Sequence, residues 1–334
     1  MKAAVLEGQR KLVVREVPDP EPGEGQVLVK MRHCGICGSD THMYASSLAV
    51  PGSIMGHEWV GEIAALGAGV DQCRVGDRVW PGGSYTPDWQ WKAQYGWDLR
   101  AWAQDDFVRE MGGYGEYAVY HPLAVAPVPE GISDVEAVMA DQAATALGAL
   151  QASRLQIGER VLVIGAGPIG LWSLRCAQLA GASKICVAEL IAGRAERARR
   201  MGADLVVDSN PFEVREQITD FFDGIGPDVV LECGGTESAL QLAVEVLRPD
   251  GRIAVVGISH GPVRLEPLKM YLKGLEMRSV LHIDFEGGMD IIRRKKVDCQ
   301  EFLTAVIPLE GIPGAFERLL DPKDEVKIIV RYAD

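Results

Sequence analysis

Short apolar runs, broken by turn residues, open the chain. Val27-Leu-Val-Lys-Met31, Val60-Gly-Glu-Ile-Ala64 and Tyr117-Ala-Val-Tyr120 have the make-up of strands, and so does the opening Met1-Lys-Ala-Ala-Val-Leu-Glu7. Pro18, Pro20, Pro22 and Gly23 punctuate one connection. The pattern predicts a β-rich region over residues 1 to about 125. It changes near Ser133, where Ser133-Asp-Val-Glu136 has the form of a capping box that opens a helix. From Arg160 to about Gly257, apolar runs alternate with helical segments; Leu205-Val-Val-Asp208, Val229-Val-Leu-Glu232 and Ile253-Ala-Val-Val256 are three of the runs. Such alternation predicts a doubly wound parallel sheet. From about Asp284 the pattern returns to helix and then strand, ending in Val326-Lys-Ile-Ile-Val330.

Within the alternating region one segment carries chemistry. Val161-Leu-Val-Ile-Gly-Ala-Gly-Pro-Ile-Gly170 is an apolar run that ends in a glycine loop. A helical pattern follows over 171 to 179, then the run Lys184-Ile-Cys-Val-Ala-Glu189, closed by an acid. Gly165 permits the turn, Gly167 lets a pyrophosphate approach the backbone, and Gly170 allows close helix packing. Phosphates would sit over the free N–H groups of the helix start, which Pro168 and Ile169 begin. Glu189 lies 19 residues after Gly170, near the spacing expected of a ribose-binding acid. Strand, turn, helix, strand and acid in this order predict dinucleotide binding.

The first region carries the other signal. Cys34-Gly-Ile-Cys-Gly-Ser-Asp-Thr-His42 and Gly56-His57-Glu58 bring thiols, imidazoles, carboxylates and a hydroxyl close in sequence, separated by glycines. Cys, His and a carboxylate suit a tetrahedral zinc, whose catalytic form needs three protein ligands and one open position. Two other readings stay open on these residues alone. One is a buried free cysteine beside unrelated histidines, and the other is a redox pair of Cys34 and Cys37.

Together the two signals resemble the zinc-dependent medium-chain dehydrogenase/reductase family, which includes alcohol, sorbitol and threonine dehydrogenases. The carriers are Gly35-Ile-Cys-Gly-Ser-Asp-Thr-His42, Gly56-His-Glu58, Val75-Gly-Asp-Arg-Val79, Gly112-Gly-Tyr-Gly-Glu-Tyr117 and Gly165-Ala-Gly-Pro-Ile-Gly170, and the resemblance covers essentially the whole chain. It implies an α/β protein with a GroES-like β-rich catalytic domain and a Rossmann doubly wound parallel-sheet domain. The catalytic domain would be discontinuous, over 1–142 and 284–334, around a nucleotide domain over 143–283.

The resemblance also implies roles. Cys37 and His57 would bind zinc, with Asp141 as third ligand and Glu58 as an intermittent one; Cys34 would be a neighbour. Asp40 would hold the His57 ring by its second nitrogen. Ser39 would hydrogen-bond the reacting oxygen and pass its proton through the cofactor ribose to His42, a residue type that titrates near neutral pH. Glu189 would accept from the adenosine ribose and repel a 2′-phosphate, favouring NAD over NADP. Arg194 would serve the ribose of NAD, Lys327 the pyrophosphate, and His282 a similar basic position. Many relatives carry a second, structural zinc on four cysteines. Residues 80 to 113 hold no cysteine, so one zinc per chain is expected. That stretch holds Trp80, Tyr85, Trp89, Trp91, Tyr95, Trp97 and Trp102 instead, as a mini-core, a lid or a subunit contact.

Composition narrows the rest. A net charge of −13 speaks against nucleic acid as a main partner. No run of 18 or more apolar residues predicts a membrane span. Met1-Lys-Ala-Ala-Val-Leu-Glu7 meets charge too early for a signal peptide. Seven cysteines with scattered spacing suit a reducing compartment, hence a cytoplasmic protein. The expected activity is zinc-dependent hydride transfer between a secondary alcohol, cyclic, bulky or polyol, and NAD, in a homodimer or homotetramer. The competing readings are a zinc-free quinone or enone reductase of the same fold and a non-enzymatic member of it.

Overall fold

The structure, a computed structural model, describes residues 1–46, 50–82, 111–207, 211–259, 261–280 and 283–333. His282 and most of the tryptophan-rich stretch lie outside these residues. The chain forms two compact units. One comprises Met1–Met139, Leu303–Pro322 and Lys327–Asp334, the other Ala140–Phe302 and Lys323–Val326.

The first unit is built mainly on antiparallel strands, with its two late strands paired in parallel. β1 (Lys2–Gly8) pairs with β2 (Lys11–Glu16). A larger sheet holds β3 (Val27–Gly35), β4 (Glu58–Leu66), β5 (Arg78–Trp80), β6 (Tyr117–Tyr120) and β7 (Ala126–Pro127). Two late strands, β14 (Leu303–Pro308) and β15 (Lys327–Arg331), complete it in the order β14-β15-β3-β4-β5-β7, with β6 on β3. Alternation along β3 buries Val27, Val29 and Met31 in one core with Ile63, Ile328 and Val330. Register then sets the site: Gly35 faces Glu58 on one side and Ile329 on the other. Helix α1 (Gly38–Ala45) leaves directly from the end of β3, and α2 (Asp134–Val138) starts at the Ser133–Glu136 capping box.

The second unit is the doubly wound sheet that the alternation predicts. Six parallel strands run β10 (Leu205–Val207), β9 (Lys184–Ala188), β8 (Arg160–Ile164), β11 (Val229–Glu232), β12 (Arg252–Val255) and β13 (Glu276–Ser279). Order reverses between β8 and β11, so the crevice at their carboxyl ends is where such sheets bind ligands. Helix α3 (Ala140–Ser153) begins the unit, and α4 (Pro168–Leu179) follows the glycine loop. The helices α5 (Ala192–Arg200), α6 (Pro211–Phe221), α7 (Glu237–Val246), α8 (Pro267–Lys273) and α9 (Phe285–Arg293) follow in turn.

The chain returns to the first unit at Leu303, later than the expected 284. Packing explains the difference. A Cβ on Gly288 of α9 would lie 2.6 Å from Ala144 N and 2.7 Å from Ala140 O, so α9 lies directly on the α3 backbone. Gln151 donates to Asp284 at 2.8 Å, and the ring of Phe302 stacks on Trp172 at 4.4 Å. A helical pattern in sequence does not say which sheet the helix will cover. Among the described residues, no helix is long and apolar enough to cross a membrane.

Gly170 gives a direct check on how the glycine loop folds. A Cβ there would fall 1.8 Å from Gly165 O, a clash with backbone that no rotamer relieves. Gly170→Ala is expected to lower the unfolding free energy by about 1–3 kcal/mol or more, read from chemical denaturation. An unchanged midpoint would show that helix and loop are not in contact.

Candidate functional site

Two segments of the first unit, the β3–α1 junction and the start of β4, converge on one cluster. β3 delivers Cys37 just past its end, where Cys37 caps α1. One turn into α1, Asp40 accepts from the Cys37 N–H at 3.2 Å and is fully buried. Gly56, at φ +93°, turns the chain so that His57 and Glu58 enter β4 facing the same space. Donor atoms of Cys37, His57 and Glu58 all lie within 4.8 Å of one another. A thiolate, an imidazole and a carboxylate at that separation match the ligand preferences of zinc.

Electrostatics favour a cation in this pocket. Burial alone would push the Asp40 carboxyl up, but neighbouring His57 and hydrogen bonds from Tyr114 and the Cys37 N–H outweigh it and hold the group below the usual range. Burial opposes charge on His57 too, yet Asp40 and then Cys37 hold the imidazole well above its ordinary value. Asp40 Oδ1 lies 3.5 Å from His57 Nδ1, which leaves Nε2 for a metal. Glu58 Oε1 is buried with no hydrogen-bond partner among the described residues. An orphaned carboxylate oxygen beside a thiol and an imidazole fits an absent cation.

The two cysteines differ in kind. Burial, then the charges of Asp40 and Glu58, push the Cys34 thiol well up. A thiol kept protonated is a poor nucleophile, which disfavours the redox pair. All described cysteines are free.

Lys327, expected at the pyrophosphate, lies in β15 of the first unit. Its ammonium is 1% exposed and donates to Glu58 Oε2 at 2.6 Å and to Ile36 O at 3.0 Å. A buried ammonium needs a counter-charge, and the carboxylate brought beside it by strand pairing supplies one. Space for that carboxylate comes from Gly35, where a Cβ would lie 2.3 Å from Glu58 Oε2.

Ser39 and His42 lie three residues apart on α1, Ser39 half-buried and His42 exposed. Asp141 stands in the first turn of α3, in the second unit, and the trio of Cys37, His57 and Glu58 forms without it.

The second unit holds the glycine loop. Gly165, at φ +90°, turns out of β8, and Gly167 caps α4 without a side chain in the way. Pro168, Ile169 and Gly170 form the first turn of α4. Glu189, just past β9, accepts from Ala166 N at 2.6 Å and Ile191 N at 2.8 Å, so its carboxylate is pinned against the loop. Arg194 donates through Nε to Glu325 O at 2.8 Å, and its Nη1 lies 3.7 Å from where a Gly167 Cβ would stand. Two groups at these sites escaped the sequence reading. One is Tyr114, whose phenol donates to Asp40 Oδ2 at 2.6 Å. The other is Glu232, buried at the end of β11, which accepts from Gly234 N at 2.8 Å and Gly235 N at 2.7 Å. For Tyr114 the only available signal was a tyrosine set between glycines, and for Glu232 an acid closing an apolar strand.

Comparisons with known proteins identify related domains and chains. Residues 23–130 match the alcohol dehydrogenase GroES-like domain, and residues 168–292 match the zinc-binding dehydrogenase domain. The sorbitol dehydrogenase of Bacillus subtilis is 30% identical over 355 aligned positions, covering 99% of this chain and 97% of that protein. The L-threonine 3-dehydrogenase of Pyrococcus horikoshii is 34% identical over 259 positions, covering 75% and 74%. Among solved structures, an alcohol dehydrogenase from Thermus sp. ATN1 is 30% identical, with a TM-score of 0.88 and 99% of each chain covered.

The buried pair can be tested directly. Lys327→Met leaves Glu58 as a buried charge without its cation, and is expected to cost about 3–5 kcal/mol of stability. Lys327→Arg, which keeps the charge, should cost less. Equal melting temperatures for wild type and Lys327→Met would show that the pair is not formed.

Proposed function

Because this chain belongs to the zinc-type medium-chain dehydrogenase family, we propose that it oxidises a secondary alcohol to the ketone, with one zinc and NAD. The observation that carries this reading is the convergence of Cys37, His57 and Glu58 within 4.8 Å. A zinc-free reductase of the same fold would have no use for such a donor set. Cys37 and His57 hold the metal in this proposal, and Glu58 is an intermittent donor beside them. When bound, zinc supplies a Lewis acid that makes the substrate hydroxyl more acidic, and NAD supplies the hydride acceptor.

The chain's own residues do the rest. Asp40 fixes the His57 ring, so that the nitrogen facing the metal carries no proton. Ser39 accepts the substrate proton within the pocket. With the cofactor bound, His42, on the same face of α1 and exposed, would receive it from Ser39 by way of the ribose and release it to solvent. The glycine loop presents the α4 N-terminus to the pyrophosphate. Glu189 accepts from the ribose hydroxyls, and its charge disfavours a 2′-phosphate; Arg194 flanks the same ribose. A secondary alcohol or polyol is the substrate class in keeping with the sorbitol and butanediol dehydrogenases to which the chain is similar. Assembly as a homodimer or homotetramer and a cytoplasmic location belong to the same reading, the latter supported by the free cysteines.

A panel of alcohols with NAD, read by the absorbance of the reduced cofactor, tests the activity. Zinc analysis should give about one metal per chain; none, or two tightly held, would overturn the metal assignment. Cys37→Ala and His57→Ala should each abolish oxidation and leave NAD binding largely intact, since the glycine loop is in the other unit.

Glu189→Ala should weaken NAD markedly, because each hydrogen bond to a charged group contributes about 1.5–3 kcal/mol. The same variant should relax the discrimination against NADP. A wild-type enzyme that prefers NADP would refute the role given to Glu189.

A further inference from the structure

We infer that Tyr114 is a positioning residue of the metal pocket: its phenol holds Asp40 in the orientation from which Asp40 fixes His57. The inference rests on the metal reading above and assigns a residue to it.

The ring cannot move far. Tyr114 is fully buried, and its ring meets Phe316 edge to face at 5.8 Å. Its backbone N–H donates to Met55 O at 2.9 Å, and its carbonyl accepts from Ala4 N at 2.8 Å. The ring also presses on Gly56, where a Cβ would lie 2.8 Å from Tyr114 Cδ1. Gly56 is the residue before His57, so the ring braces the turn that delivers the imidazole. A side chain at Gly56 and the tyrosine ring cannot both occupy that space.

The hydroxyl then sets Asp40. It donates to Oδ2 at 2.6 Å, and the Cys37 N–H donates to the same oxygen at 3.2 Å. Gly35 O, at 3.4 Å, is a second and poorer acceptor. With Oδ2 held by two donors, Oδ1 is the oxygen left facing His57 Nδ1. Burial, then the charge of Asp40, raises the phenol well above its usual range, so it keeps the proton it donates. Without this donor, a buried carboxylate would lose its shortest hydrogen bond and keep only the backbone N–H to fix its rotation. Tyr114 thus touches both parts of the assembly, the turn before His57 through its ring and the partner of His57 through its hydroxyl.

Tyr114→Phe removes the hydroxyl and keeps every ring contact, so the fold should survive. The measurement is the rate at which purified holoenzyme loses zinc to a colorimetric chelator, with the melting temperature of each variant. Partners behind a metal-ligating histidine are worth about 10–100-fold in metal affinity. Tyr114 acts one bond further out, so about tenfold faster loss is expected, at the low end of that range. Cobalt-substituted Tyr114→Phe should also show altered visible bands. Phe316→Leu is the control: it loosens the same ring but keeps the hydroxyl, and should lower the melting temperature while zinc loss stays near the wild-type rate. If Phe316→Leu speeds zinc loss as much as Tyr114→Phe does, the effect is packing and the inference fails. If wild type holds zinc and Tyr114→Phe releases it at the wild-type rate, this inference alone is overturned. A wild-type protein that holds no zinc would overturn the metal reading, and this inference with it.

Discussion

Two carboxylates without water are the constraint around which the first unit is arranged. Asp40 and Glu58 are both buried, beside a thiol. Unpaired, each would cost several kcal/mol, so each must find positive charge or strong donors. Glu58 finds Lys327, on the last strand of the sheet. Asp40 finds a phenol, a backbone N–H and the imidazole of His57. What these partners leave over is an oxygen of Glu58, a thiol and a ring nitrogen, all turned to one space. These three atoms are of the types that a zinc ion prefers.

Glycines carry out the same arrangement in steric terms. Gly35 makes room for the Glu58 carboxylate, Gly56 for the Tyr114 ring, and Gly113 for Cys34, whose Sγ would lie 2.7 Å from a Cβ there. In the second unit Gly170 lets α4 close on the loop after β8. Each of these four occupies a place where a methyl group would displace a functional side chain or a backbone carbonyl.

How much of this was legible in the sequence depended on distance along the chain. The glycine loop was legible because strand, turn, helix and acid follow one another locally, and Gly165, Gly170 and Glu189 lie where the pattern puts them. Cys37 and His57 were legible as ligand types, and strand pairing of β3 with β4 brings them together. Lys327 was not, because its partner lies 269 positions away and no periodicity encodes an ion pair. The same holds for Tyr114 and Asp40, 74 positions apart. Where the chain re-enters the first unit was not legible, because amphipathic α9 has the same pattern whichever surface it covers.

Lys327 also has a consequence for the order in which the protein is made. Its strand leaves the ribosome after all of residues 140–302, the bulk of the second unit. Until then β3 lacks β15 as a neighbour, and Glu58 has no ammonium beside it. Glu58 therefore gains its counter-charge only when β15 joins the sheet. All six strands of the parallel sheet are thus made before the sheet of the first unit receives the strand that carries Lys327.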